Sequence, residues 1–437
     1  MTRWGGLNRA PGRGERFFTI FVFLLSSASF ASFMGGEETG KGALAIVMPA
    51  LWSLIYLVAV ILFRKHCGGF LDRLRRDKLL VFLVALAMIS AFWSEEPGHT
   101  LQRSVALFGT TFFGVYFASR FSLVDQLRIL SRVFLIGAVL SPIVVAVLPQ
   151  YGIAGPEFGH AWQGIYGHKN GLGSAMALGT IAFTFRAVMD RKGSLRWWAA
   201  AGLSVGLLLL SHAATSLLAC AVSLMTFTLA PILRRPLRRI IWAVVGMGAL
   251  AVGAGLWALN NLQFVMSLLG RDQSFTGRTT VWMVSIAMIT RRPWLGYGYN
   301  EFWPAYGSDM VAHLTGLAEM SHAHNAILNL WLDLGLLGVL IFILQYSKSL
   351  WCAVVAVRNT KSVEWFWPLV FLVYLATVGL VESIVLQRNG LSWIVFTSVA
   401  IQVSFRAQRK VSTVASSAIA ASFGMQNRLG FNGTGGS

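Results

Sequence analysis

Acidic side chains are scarce. The 437 residues include 17 Asp and Glu against 36 Lys and Arg, and only 12% of the chain is charged, where a soluble domain carries roughly 25%. So little charge cannot cover a water-facing surface, which excludes a soluble globular enzyme. Cysteine is also rare. Cys67, Cys220 and Cys352 form no CxxC pair and show no metal-ligand spacing, so there is neither a disulfide framework nor a thiolate metal site. No Asp-x-Asp pair is present to chelate a divalent ion for a nucleotide sugar, which argues against a cytosolic sugar-nucleotide donor. The glycine-rich stretches Gly171-Leu172-Gly173-Ser174 and Leu295-Gly296-Tyr297-Gly298-Tyr299 follow no strand, so neither is a phosphate loop. The first suits close helix packing by small residues, the second a tight turn. No repeat of 20–50 residues is visible and the two halves do not resemble each other, which weighs against an inverted-repeat transporter.

Apolar sequence is abundant. Hydrophobic residues make up 56% of the chain, its mean hydropathy is +0.64, and runs near the ~20 residues that span a bilayer core recur along it. Twelve such runs lie near 17–34, 43–63, 79–93, 104–119, 133–149, 171–189, 197–211, 215–233, 240–259, 325–346, 365–382 and 390–405. They predict an all-α polytopic membrane protein of about 12 transmembrane helices. The first run follows Arg3, Arg9, Arg13 and Arg16 and ends in Ser27-Ala28-Ser29-Phe30-Ala31. That ending has some signal-peptide character, and the run is expected to remain as an uncleaved signal anchor.

The net charge of +19 points superficially to nucleic acid. The cations instead sit in short clusters between apolar runs, a topological placement, so no nucleic-acid partner is expected. With both termini in the cytoplasm, every inner segment carries at least three cations, among them Arg64, Lys65, Arg73, Arg75, Arg76 and Lys78, and the run Arg234-Arg235-Pro236-Leu237-Arg238-Arg239. Of the 36 Lys and Arg, only Lys41, Arg103, Lys169, Arg271, Arg278, Arg291, Arg292 and Arg388 fall outside. The organisation is then helices 1–9 over residues 1–259, a large outer loop over 260–324 between helices 9 and 10, helices 10–12 over 325–405, and a disordered cytoplasmic tail over 406–437. A loop of that length is usually functional. Its Trp294, Tyr297, Tyr299, Phe302, Trp303 and Tyr306 are expected to line a place for a polar polymer.

Cations stranded outside are the informative ones, because guanidinium and ammonium groups gathered at the interface would bind a strong anion. Arg103 opens the fourth run, Lys169 stands in His168-Lys169-Asn170-Gly171, and Arg278 in Thr276-Gly277-Arg278-Thr279-Thr280-Val281-Trp282. Each also fits a snorkelling contact with lipid headgroups or a local ion pair. The densest cluster is Ser321-His322-Ala323-His324-Asn325, at the entrance to the tenth run. An imidazole there can take a proton from a hydroxyl near neutral pH. Zinc is a rival reading, but His322 and His324 are two apart and no third ligand follows at metal spacing. A plain helix cap by Asn325 is another. Asp333 and Glu382 lie within apolar runs and must face protein or water; Glu382 is expected to pair with Arg388.

Three stretches carry a family resemblance: Trp93-Ser94-Glu95-Glu96-Pro97 with Thr100 to Arg103, Tyr166 to Gly173, and the outer segment from Gly277-Arg278 to Gly338. Within the last, Pro293-Trp294-Leu295-Gly296-Tyr297-Gly298 and His324-Asn325 with Gly335 and Gly338 keep the family order. The chain resembles the O-antigen ligase and Wzy-type polymerase superfamily of bacterial inner-membrane proteins, and within it the ExoQ-like exopolysaccharide polymerases. The resemblance implies a GT-C-like glycosyltransferase with no cofactor and no metal, acting on the periplasmic side. Its donor would be a polyprenyl-diphosphate-linked glycan, and its acceptor another lipid-linked glycan or, in a ligase, lipid A core. It places His324 near the acceptor hydroxyl and Arg278 on the diphosphate, with Lys169 matching a basic position before the sixth run; Arg103, an outer-side cation, is expected as a further diphosphate ligand. His322, Asn325, His168, Asn170, His212 and Arg388 are supporting candidates. One departure is His212, in Ser211-His212-Ala213, where many relatives have Arg or Lys. A lipid-carrier transporter using Asp333, Glu382 and Arg388 is the alternative from another class, and it predicts discontinuous helices at mid-membrane.

Overall fold

The computed structural model describes residues 10–29, 43–66, 77–236, 276–315 and 322–406. Among them the regular structure is helical, apart from one isolated antiparallel bridge between Ile153 and Trp162. In chain order the helices are α1 (Arg13–Ser26), α2 (Ala43–His66), α3 (Lys78–Ile89), α4 (Pro97–Arg120), α5 (Leu123–Val147), α6 (Lys169–Met189), α7 (Ser194–Leu210), α8 (Ala214–Leu229), α9 (Thr276–Arg291), α10 (Ser308–Thr315), α11 (Ala326–Arg358), α12 (Phe366–Gly379) and α13 (Leu391–Arg406). The ninth apolar run at 240–259, Lys41, Cys67, Arg271 and the tail from 407 onward lie outside the described residues.

Six of the described helices are long and apolar enough to cross a bilayer: α2, α5, α6, α7 and α8 with their adjoining turns, and α11. The chain is therefore a multi-pass membrane protein. Helices α3, α9, α12 and α13 are apolar but shorter. Helix α4 has the length without the hydropathy, because Thr100, Ser104, Thr110 and Thr111 are buried against other helices rather than turned to lipid. The fifth run was expected to start near 133, yet α5 begins at Leu123. Ser122 Oγ accepts the Asp125 amide at 3.2 Å, an N-cap that starts the helix in polar sequence. Helix α6 is the most enclosed. It packs on α5, α7 and α8, and the small residue Gly173 lets the Ser211–Ala213 turn approach, since a Cβ there would meet the Ala213 methyl.

One end of the bundle is held by tight charge pairs. Arg120 binds Glu15 through two bonds of 2.6 and 2.9 Å, with Tyr116 donating to the same carboxylate at 2.9 Å. Asp77 joins Lys348 at 2.9 Å and Ser404 at 3.1 Å. Asp190 gathers Arg186, Arg196 and the Trp197 indole.

At the other end α11 is broken. Gly335 sits at φ 66°, ψ −170°, a backbone region open essentially to glycine alone. The freed backbone groups are taken up by residues 293–298. Tyr297 N–H donates to Leu332 O at 2.8 Å, Gly298 N–H to Asp333 O at 3.0 Å, and Leu336 N–H to Pro293 O at 2.8 Å. The Trp331 indole adds a bond to Pro293 O at 2.9 Å. A Cβ on Gly335 would run into the Trp294 carbonyl, and one on Gly296 (φ 66°) into that of Leu332. The tight turn expected at 295–299 is thus a strap threaded into a helix break. Irregular backbone at such depth survives only when protein satisfies it. A transporter would leave its break open to a cavity, whereas this one, at the tenth residue of α11, is filled by the strap.

A second core joins the segment after α8 to α11, made by Val281, Val284, Met288, Ile289, Tyr297, Phe302, Trp303, Val311, Ala323 and Leu332. This corrects the expectation that the loop aromatics line a polymer site. Tyr297, Tyr299, Phe302 and Trp303 are buried, and Trp294 is the exposed one. The aromatics pack on one another and on α11 because burying their apolar area stabilises the segment.

Candidate functional site

The segment 322–325 is fixed from several sides. Ala323 N–H donates to Asn329 Oδ1 at 3.2 Å, and Ala323 O accepts the Trp282 indole N–H at 3.1 Å. Asn325 caps α11, its Oδ1 accepting the amides of Ile327 and Leu328 at 3.0 Å each. Its Nδ2 donates to Leu380 O at 3.0 Å, and Ser383 Oγ reaches its carbonyl at 3.5 Å. The plain-cap reading of Asn325 is therefore correct as geometry, but the cap also ties 322–325 to 380–383. Between these anchors His324 adopts φ 49°, a left-handed conformation uncommon for a residue with a Cβ. Its neighbours hold it there.

This geometry brings Glu382 to the histidines. Glu382 Oε2 lies 3.6 Å from His324 Nδ1 and 4.0 Å from His322 Nε2, and the two imidazole centroids are 4.1 Å apart. Asn170 Nδ2 donates to the other carboxylate oxygen at 3.0 Å. His324 Nδ1 is shielded from solvent and makes no hydrogen bond. The expected Glu382–Arg388 ion pair does not form: Arg388 is exposed on the turn before α13, with no ion pair among the described residues. Sequence spacing offered no third ligand beside His322 and His324. The fold supplies one from 58 residues farther on, and the three donor atoms lie within 4.8 Å of one another.

The start of α6 faces the same place through Asn170. His168 is its N-cap, with Nδ1 accepting the Asn170 amide at 3.1 Å. Lys169 follows, its Nζ 5.3 Å from the centre of the Phe158 ring. The N-terminus of a 21-residue helix adds partial positive charge. His212 lies exposed at φ 50° in the turn that packs on Gly173, one turn into α6. Arg278 is in the first turn of α9; its side chain is not among the described ones. Position 278 precedes Trp282 by four residues, so the two positions share a helix face, and Trp282 is the residue bonded to Ala323.

Arg103 is engaged elsewhere. Its Nη1 contacts Glu301 Oε2 at 2.6 Å and Asn300 O at 2.8 Å. Burial pushes the Glu301 carboxyl above its ordinary range, with Arg103 pulling the other way. This pair fastens residues 300–301 to α4, and no described contact joins Arg103 to the histidines. Asp333, buried on α11, accepts Asn329 Nδ2 at 3.2 Å, and Asn329 in turn holds Ala323 and the Trp303 indole. Asp333 thus braces the histidine turn from below. Sequence reasoning missed Trp282, Asn329 and the partnership of Glu382. Only Glu382 carried a signal, as an acid in an apolar run.

Two comparisons bear on this arrangement. Residues 199–343 match the family model Wzy_C, described as O-Antigen ligase, a span that contains Arg278, His322, His324 and Asn325. Over 344 residues the chain is 26% identical to the "Exopolysaccharide production protein ExoQ" of Rhizobium meliloti (strain 1021), covering 76% of this chain and 75% of that protein. Both agree with the resemblance read from the motifs.

Proposed function

We propose that this protein is a polysaccharide polymerase that moves a glycan from polyprenyl diphosphate to the hydroxyl of another lipid-linked repeat unit. It would work without a metal, as a GT-C-type glycosyltransferase of twelve spans in a bacterial inner membrane, with both termini in the cytoplasm and the histidine site in the periplasm. The single observation that carries the reading is the placement of His324 against Glu382 at the end of the bundle opposite the Glu15–Arg120 pair. The matches to an O-antigen ligase model and to an exopolysaccharide production protein support the substrate class.

In this reading His324 Nδ1 faces Glu382, which favours the tautomer with its proton on Nδ1 and leaves the Nε2 lone pair for the acceptor hydroxyl. As the hydroxyl oxygen attacks the anomeric carbon, its proton passes to Nε2 and the bond from that carbon to the diphosphate oxygen breaks. Glu382 then stabilises the imidazolium. Charge develops on the leaving diphosphate, and groups fixed in advance at that point lower the barrier most. Arg278, Lys169 and the N-terminus of α6 supply it. Arg103 acts one step back, holding the outer segment in place.

The ligase reading, in which the finished glycan goes to lipid A core, is favoured by the description of the matched family model. One assay separates the two. Purified protein in lipid nanodiscs with a synthetic lipid-linked repeat is expected to give a ladder of longer glycans, unchanged by EDTA. A single transfer to added lipid A core would make it a ligase, and no product from either acceptor would overturn the transferase.

A further inference from the structure

The same cluster has the composition of a metal site as well as of a proton acceptor. Two imidazoles and one carboxylate converge, with Nδ1 of His324, Nε2 of His322 and an oxygen of Glu382 within 4.8 Å of one another. Around Zn2+, with ligand distances of about 2.0–2.1 Å, tetrahedral donors sit roughly 3.3 Å apart. The observed separations of 3.6 and 4.0 Å to Glu382 therefore close with small side-chain movements. The two segments are already tied by Asn325, so little order has to be created on binding. Asn170 orients the carboxylate through its second oxygen, as outer-shell partners do in metal sites. Imidazole donors select Zn2+, Cu2+ or Ni2+ over Mg2+ and Ca2+, which prefer oxygen.

We propose that His322, His324 and Glu382 bind a borderline-soft divalent ion of the Zn2+ class, and that the bound ion switches the transferase off. Binding at Nδ1 displaces the proton from that nitrogen. The neutral ring keeps its one N–H, now on Nε2, which becomes a donor and can no longer accept the hydroxyl proton. Glu382 is taken up at the same time. Metal binding itself stands apart from the proposed activity; only the inhibition rests on the transferase reading. Lys169, next to Asn170, opposes a second positive charge, so the affinity is expected to be micromolar rather than tighter.

The test is calorimetric titration of the full-length protein in nanodiscs with zinc chloride alone. One ion per chain is expected at micromolar Kd, with no heat from magnesium chloride under the same conditions. Co2+ should give the visible absorption of a tetrahedral site. His322→Asn and His322→Gln should each weaken Zn2+ binding at least tenfold, with folding checked by an unchanged Tm. Failure of the wild type to bind, or equal affinity in both folded variants, would overturn the site. In the glycan assay, half-inhibition by Zn2+ should fall near the measured Kd and move at least tenfold higher in the His322 variants, each scaled to its own metal-free rate. Inhibition at the same concentration in those variants would overturn the switch, whereas a protein inactive in the assay would still answer the binding question.

Discussion

Two sites at opposite ends of the helix bundle treat charge in different ways, although the histidine end also holds the tight Arg103–Glu301 pair. At the end rich in Lys and Arg, Glu15, Arg120 and Tyr116 close on one another at 2.6–2.9 Å, and Asp77 is shared by Lys348 and Ser404. At the other end Glu382 stands 3.6 and 4.0 Å from two histidines, the shielded Nδ1 of His324 has no hydrogen bond, and His324 itself has a left-handed backbone. Buried polar groups are ordinarily satisfied. His324 Nδ1 is one of ten buried polar atoms without a hydrogen bond among the described residues; what sets it apart is a backbone braced by Trp282, Asn329 and Asn325 beside a carboxylate and a second imidazole. On the proposed function, the first arrangement stabilises the fold and the second serves the transfer.

Exchanging the roles should break the contrast most visibly at His324. His324→Ala should lower glycan transfer by about 10²–10⁴-fold, the usual contribution of a positioned acid or base, while Tm stays within a degree or two. A variant with near-normal turnover would remove His324 from the mechanism. At the opposite end, Arg120→Met leaves Glu15 buried without its partner. Breaking such a pair costs about 3–5 kcal/mol, so the expected outcome is a large fall in Tm in detergent and poor recovery of folded protein. The protein that does fold should retain its turnover per molecule. A specific loss of turnover at full stability would show that charge at this end also serves the reaction.

The strap lies between these extremes. Gly335→Ala forces a side chain onto φ 66° and into the Trp294 carbonyl. Such backbone strain costs of order 1–3 kcal/mol, and the strap also anchors the segment that carries α9. A moderate drop in Tm together with a several-fold loss of transfer is expected. Unchanged transfer at lowered Tm would mean that the strap stabilises without positioning.

Much of this was legible in the sequence, and the reasons are local. Apolar runs located the long membrane-crossing helices among the described residues because bilayer thickness acts on short windows. The Asn325 cap was legible, since a cap is settled within three residues. Long-range partners were not legible. Glu382 lies 58 residues from His324 and close in sequence to Arg388, so proximity along the chain favoured the wrong partner. The loop aromatics looked like a binding surface because composition does not separate a side chain that packs from one that is presented. The bond between Trp282 and Ala323 left no trace at all, since its acceptor is a backbone carbonyl.

That last bond gives the smallest expected effect and the finest test of the contrast. Trp282→Phe keeps an aromatic ring on the face that packs against the histidine turn, but removes the indole N–H that holds Ala323 O. One hydrogen bond of this kind contributes about 0.5–1.5 kcal/mol, and Ala323 N–H remains fixed by Asn329. If position 278 grips diphosphate from the same helix face, the lost bond loosens the register between phosphate grip and proton acceptor. The turnover number should then fall by up to about tenfold with little change in KM for the lipid-linked donor. A higher KM at unchanged turnover would place Trp282 in donor binding instead, and no change in either would mean that the Asn329 and Asn325 braces are sufficient to hold His324.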